Sequence, residues 1–306
     1  MVMEIAKNPE STLETITLGV PDEFNFDHCL KFLNRSTKEC LHRVHGSSWL
    51  KLVKLSGQLV LIKVYAVENQ LYVDLYAPLS FSQKQQLIEY LEQVFDLRRD
   101  LTQFYLAMVQ DPIMSPLVNS YHGLRLIGIP ELFEALCWSV IGQQINLSFA
   151  YDLKRRLVEE KGEKLTVDQK DYYLFPSPSV VASLNPEDFV PWKFSAAKAK
   201  YLIAVAQEMA SGGLTKEELL QMPFQQAFAR LTSIKGIGPW SANYVLMKCL
   251  RHPAAFPSTD VGLQNAVKNL LALERKPSMD ELEELRTRWS PWEGYATFYL
   301  WHSLIA

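Results

Sequence analysis

From Trp49 to Tyr76 polar and apolar residues alternate at a period of two, through WLKLVKL, LVLIKVY and LYVDLY, with breaks at Ser56-Gly57 and Glu68-Asn69-Gln70. Successive side chains of an extended chain point to opposite faces, so this alternation predicts three strands of an antiparallel meander. A helical stripe of Phe26, Cys29, Leu30 and Leu33 precedes the strands, and a second, of Leu87, Ile88, Leu91, Val94 and Phe95, follows them. The pattern reads as an N-terminal α+β domain over residues 1–110.

After Asp111-Pro112 the period becomes helical and stays so to the end, apart from proline-rich joints such as LFPSPSV; this predicts an all-α region over 111–306. In ELFEALCWSVIGQQI, Leu132, Phe133, Leu136, Cys137, Val140 and Ile141 form one stripe. The polar exit of that helix, Gln143-Gln144, is expected to face a cleft. There is no internal repeat and no low-complexity stretch.

A chain of 306 residues exceeds what one core usually fills, in keeping with more than one unit. No apolar run reaches the roughly 18 residues needed to span a bilayer, and the first residues lack a basic start followed by an apolar block. A cytoplasmic protein with no membrane partner is expected. Cys29, Cys40, Cys137 and Cys249 are scattered without CxxC spacing, which argues against zinc, an iron–sulfur cluster or a disulfide framework. The net charge of -3 is unlike that of most nucleic-acid binders, so any such role must rest on local geometry.

Local geometry of that kind is offered by LTSIKGIGPWSANY, Leu231 to Tyr244. Gly236 and Gly238 suit a tight turn that a ligand can approach closely, and Pro239 fits the first position of the helix that follows. The free N–H groups at such a helix start suit a phosphate. A plain joint between two helices explains the same residues equally well.

Four blocks, in order, carry a resemblance. IKGIGPW is similar to the hairpin of helix-hairpin-helix DNA-repair proteins, and AFPSTDVGLQNAV, with Asp260 at a helix start, is similar to the loop that follows it in their DNA glycosylase branch. FEALCWSVIGQQI and PWEGYATFYLW resemble the bacterial 3-methyladenine DNA glycosylase II family, as does a strand-bearing domain before the helices. The resemblance covers nearly the whole chain. It implies an N-terminal domain like half of the TATA-binding-protein fold, then a glycosylase region with its helix-hairpin-helix at about 224–250.

The implied activity is hydrolytic excision of alkylated purines of the 3-methyladenine and 7-methylguanine type, flipped out of double-stranded DNA, by a monomer working with the bacterial nucleoid. Trp240, Tyr244, Trp292 and Phe32 would line the base pocket, because electron-rich rings attract a cationic purine. Asp260 would stabilise the oxocarbenium-like sugar; by itself, a carboxylate before VGLQNAVKNLL also reads as a helix cap. Gly236, Gly238, Lys235 and Ser241 would grip the DNA backbone, with Gln143 and Gln144 at the gap left by the extruded nucleotide. Backbone carbonyls of Thr232, Ile234 and Ile237 would hold a structural Na+ or K+, with no cofactor for catalysis. Relatives that also cut the strand place a lysine two residues after the second hairpin glycine, where this chain has Trp240, so no lyase step is implied. Two alternatives stay open: a glycosylase for oxidised or deaminated bases, and a non-enzymatic helix-hairpin-helix module.

Overall fold

The computed structural model describes residues 12–305, so the first eleven residues of the 1–110 domain, and residue 306, lie outside the description. The expected meander forms as β3 (Ser48–Leu55), β4 (Gln58–Val67) and β5 (Gln70–Leu75), flanked by β1 (Glu14–Gly19) and β2 (His42–His45). The sheet order is β1-β5-β4-β3-β2, with each neighbouring pair antiparallel. The β3–β4 turn puts both Ser56 (φ 47°) and Gly57 (φ 87°) in the left-handed region, the twist that matches a two-residue hairpin. It sets a register that pairs Leu52 with Leu61 and Val53 with Val60.

Helices α1 (Phe26–Leu33) and α2 (Phe81–Phe95) bring the predicted stripes to this sheet, with Cys29, Leu87, Leu91 and Phe95 fully buried. Asn25 caps α1, and Ser80 with Gln83 makes a capping box on α2. Next come α3 (Thr102–Met108), α4 (Met114–Ser120), α5 (Leu132–Ile141) and α6 (Leu147–Lys161). A hairpin of β6 (Lys164–Val167) and β7 (Lys170–Tyr173) precedes α7 (Pro178–Ala182), α8 (Ala196–Ala210), α9 (Lys216–Gln221) and α10 (Phe224–Thr232). The chain closes with α11 (Pro239–Lys248), α12 (Val261–Leu270), α13 (Met279–Trp289) and α14 (Glu293–His302).

The helical reading of 111–306 therefore holds except for the β6–β7 hairpin, which has a tertiary cause. Leu165, Val167, Tyr172 and Leu174 of this segment cover Leu52 and Leu61 on the outer face of the five-stranded sheet. The inner face, with Trp49, Val53, Ile62 and Val64, joins one apolar cluster that continues through Leu136 and Val245 to Leu300. Strands and helices thus share a core.

Two histidines, His302 fully buried and His42 half-buried beside Trp49, make this core sensitive to acid. Burial pulls His42, whose Nε2 lies 3.0 Å from the Leu33 carbonyl, down to about 4, with Glu39 acting the other way, and burial also pulls His302 down to about 4. Both stay neutral in the fold but take up protons near the ordinary 6.5 when unfolded. Their contribution is intact above 6.5 and is lost progressively as pH falls toward 4, because the unfolded chain then binds more protons. A lower denaturant midpoint is expected at about pH 5 than at about pH 7.5, with His42→Gln flattening the difference. An identical midpoint at both would refute this.

Candidate active site

The turn between α10 and α11 takes the form that its residues dictate. Gly236 has φ 95°, and a Cβ there would lie 2.4 Å from Tyr201 Cγ, so only glycine fits. Gly238 differs: its φ is -88°, it caps α11, and no atom lies within 4 Å of a built Cβ. Pro239 opens the helix. The hairpin forms one wall of an open groove of about 610 Å³ that reaches Thr259, next to Asp260. Lys235 is exposed on this wall.

Ser241 and Gln143 take inner positions. Ser241 is 1% exposed, and its hydroxyl accepts a hydrogen bond at 3.0 Å from Gln143 Nε2, which also donates to the Gly236 carbonyl at 2.8 Å. The amide of Gln143 therefore shapes the turn from behind. Gln144 is exposed with a left-handed φ of 56°.

Asn243 ties the loop carrying Asp260 to α11: its carbonyl accepts from Phe256 N at 3.0 Å, and its amide donates to Pro239 O at 3.0 Å. Asp260 is the N-cap of α12, as expected of a carboxylate just before VGLQNAVKNLL, with Oδ1 accepting from Leu263 N at 2.7 Å. The same Oδ1 accepts from Trp301 Nε1 at 2.8 Å, and Oδ2 accepts from Trp240 Nε1 at 2.9 Å. Three N–H donors thus fix a half-buried carboxylate between two indoles. Cap and candidate catalyst are the same group.

Trp240 stacks on Tyr244, one turn along α11, with ring centroids 5.6 Å apart and planes at 29°. Tyr244 in turn lies 6.1 Å from the Trp301 ring, and burial pushes its phenol above the usual range. On its other side Tyr244 meets Phe32 across a cavity of about 70 Å³, which Trp138, Glu134 and Lys248 also line. Phe32 packs at 4.5 Å on Phe298, and the Arg35 guanidinium lies 4.0 Å from its ring centroid.

Trp292 does not join these rings. It packs against Phe104 at 5.8 Å and Tyr295 at 6.2 Å, beside the first turn of α14, whereas the indole that joins Trp240 at Asp260 is that of Trp301 at the other end of that helix. Gly262 makes the Trp301 contact possible, since a Cβ there would stand 3.0 Å from Asp260 Oδ1 and 3.2 Å from Trp301 Cδ1. Trp301, Gly262 and Asn243 are the residues that sequence reasoning missed.

Lys248 is 2% exposed, donates to the Ile127 carbonyl, and is held well below its usual range by burial, with Arg35 and Arg251 adding to the effect. A lowered pKa favours an amine nucleophile, but position decides against it. Eight residues separate it from Trp240, about 12 Å along the helix. The thiols of Cys29, Cys40 and Cys249 are pushed up to about 12 by burial and are inert near neutrality.

Comparison with known proteins identifies the family. Residues 137–291 match the family model described as HhH-GPD superfamily base excision DNA repair protein, and residues 18–136 match that of the 8-oxoguanine DNA glycosylase N-terminal domain. The chain is 40% identical to a DNA-3-methyladenine glycosylase of Bacillus subtilis (strain 168), over 95% of this chain and 97% of that protein. It is 28% identical to DNA-3-methyladenine glycosylase 2 of Escherichia coli (strain K12), over 59% of this chain and 61% of that one. In fold it is similar to the 3-methyladenine DNA-glycosylase of Archaeoglobus fulgidus, with TM-score 0.82 and 24% identity over 94% and 97% of the two chains. The chain belongs to the HhH-GPD superfamily of base excision DNA repair proteins.

Proposed function

We infer that this protein excises alkylated bases from DNA by cleaving the N-glycosidic bond. The observation that carries the reading is the carboxylate of Asp260, fixed by Trp240, Trp301 and Leu263 next to the hairpin groove that Trp240 and Thr259 line. The 40% identity to a bacterial DNA-3-methyladenine glycosylase over nearly the full length of both chains supports the same substrate class.

The chemistry follows from the charge on the lesion. An alkylated purine is cationic and already a good leaving group, so no protein acid is required to protonate it. The Asp260 carboxylate stabilises the positive charge that develops on the sugar and orients the attacking water. The extruded base stacks on the rings around Tyr244, where a cation gains about 0.5–2 kcal/mol from aromatic faces. Water is the only co-reactant required.

The hairpin holds the duplex by backbone contacts that carry no sequence information, so few side-chain charges are needed. We also propose a monovalent cation at the Thr232, Ile234 and Ile237 carbonyls. The Ile234 carbonyl accepts one hydrogen bond, from Ile237 N at 3.0 Å, and keeps a second lone pair, and three neutral oxygens suit Na+ or K+. Such an ion would bring positive charge next to a phosphate. We take the protein to act as a monomer on duplex DNA. Among the described residues no helix is long and apolar enough to cross a membrane.

We expect excision without strand cleavage, supported by Trp240 at the lyase position and by the eight residues, about 12 Å of helix, that separate Lys248 from it. Chromatography of methylated DNA incubated with the protein is expected to show free 3-methyladenine and 7-methylguanine, and borohydride is expected to trap no covalent protein–DNA adduct. An adduct abolished by Lys248→Met or by replacement of another lysine would overturn the hydrolytic assignment. Release of 8-oxoguanine with no methylated purine would favour the oxidised-base reading.

A further inference from the structure

The loop from α5 to α6 is held by an interaction that the chemistry above does not use. Lys198 of α8 places Nζ 2.6 Å from the Ile141 carbonyl, 2.7 Å from that of Gln143 and 3.2 Å from that of Val140. These oxygens belong to the last turn and exit of α5, where unpaired carbonyls and the negative end of the helix dipole collect. Gly142, at the C-cap, keeps a helical φ of -73°, so the usual left-handed glycine cap is missing and the chain reverses at Gln144 instead, with φ 56°. A left-handed non-glycine residue is strained and persists only where its surroundings over-determine it.

Those surroundings can be named. Lys198 grips the carbonyl before Gln144, the Gln143 amide is bonded to the hairpin, and Asn146 starts α6 by accepting from Phe149 N at 2.9 Å. Gln144 is exposed between these anchors, and no side-chain hydrogen bond engages it among the described residues. We propose that Lys198 is a positioning residue that fixes the α5–α6 loop so that Gln144 fills the gap left by the extruded nucleotide. This rests on the base-excision reading. Burial pulls the Lys198 ammonium down to about 8, and no carboxylate pairs with it among the described residues. The three carbonyls are what keep a partly desolvated cation in place.

The assignment separates extrusion from bond cleavage. Lys198→Met should lower single-turnover release of an alkylated base from fully paired duplex by about tenfold or more, the loss equivalent to one hydrogen bond to a charged group. Release from the same lesion in a single-nucleotide bulge should stay within about threefold of wild type, because there no partner strand resists extrusion. Lys198→Arg should restore most of the paired-duplex activity. Gln144→Ala should reproduce the defect, and adding Lys198→Met to it should cost little more. A second readout needs no catalysis: 2-aminopurine beside the lesion should brighten on binding of wild type and less with Lys198→Met. Equal losses on paired and bulged substrates, full multiplication of the two single effects, or no change on paired duplex would each overturn the proposal. Lys198-dependent brightening without base release would instead refute the excision reading alone.

Discussion

Asp260→Asn lowers single-turnover base release by about 100-fold or more, the order seen when one preorganised electrostatic stabiliser is removed from a reacting centre. The protein stays folded but is less stable, and the geometry says by how much. An asparagine with its oxygen at the Oδ1 position keeps the bonds from Leu263 N and Trp301 Nε1, and turns its NH2 toward the Trp240 indole N–H, which donated to Oδ2. Two donors then face each other, so the cost rises from the several tenths of a kcal/mol of a weakened cap to about 1–2 kcal/mol. Affinity for lesion-containing duplex remains near wild type because the hairpin is untouched. Single-turnover assays, denaturant midpoints and binding isotherms on one preparation read the three quantities separately. A folded Asp260→Asn protein that releases bases at nearly the normal rate would leave Asp260 as a helix cap and nothing more.

Gly236→Ala and Gly238→Ala diverge although the two glycines are separated by a single residue. At Gly236 the added methyl combines a left-handed backbone with a 2.4 Å approach to Tyr201 Cγ. Roughly 1–2 kcal/mol for the conformation and 1–3 for overpacking predict a loss of about 2–5 kcal/mol in stability. At Gly238 the φ is ordinary and the methyl meets nothing, so only the poorer N-cap preference of alanine counts and the stability cost stays within about 1 kcal/mol. That open space faces the groove where a phosphate oxygen would sit, so Gly238→Ala weakens binding to intact and damaged duplex alike, by about tenfold if one charge-assisted contact is lost. Unchanged DNA affinity with slower base release in Gly238→Ala would overturn the backbone-grip assignment.

What the sequence showed and what it hid follow from how far each feature depends on distant partners. The β3–β5 meander was legible because its alternation is local and long. β1 was not: only Leu18 of its six residues is buried, and it pairs with β5 some fifty residues later. β6 and β7 carry charges on most of their exposed positions and owe their place to the sheet they cover. The hairpin and Asp260 were readable because a turn and a cap are dictated by adjacent residues. The aromatic assignment failed at Trp292 for a reason that periodicity alone contains. Trp301 is nine residues further on, and at roughly 100° per residue the two project from opposite sides of α14. The helix can offer only one of them to Asp260, and nothing in the local sequence says which until α12 is placed. Gln143 and Gln144 divide in the same way, since being adjacent sends one amide into the hairpin and leaves the other outside.

The β6–β7 hairpin also bears on how such a chain can be inherited and recombined. Leu52 and Leu61 are roofed by residues contributed more than a hundred positions downstream, while the inner face of the same sheet merges into the helical core. Neither portion is a cassette. An exchange between relatives with its crossover between sheet and helices pairs one parent's Leu52 and Leu61 with the other parent's Leu165 and Tyr172. Shape complementarity on both sides of the sheet must then survive at once, so viable chimaeras are those that carry the strands and their distant roof as a single heritable block.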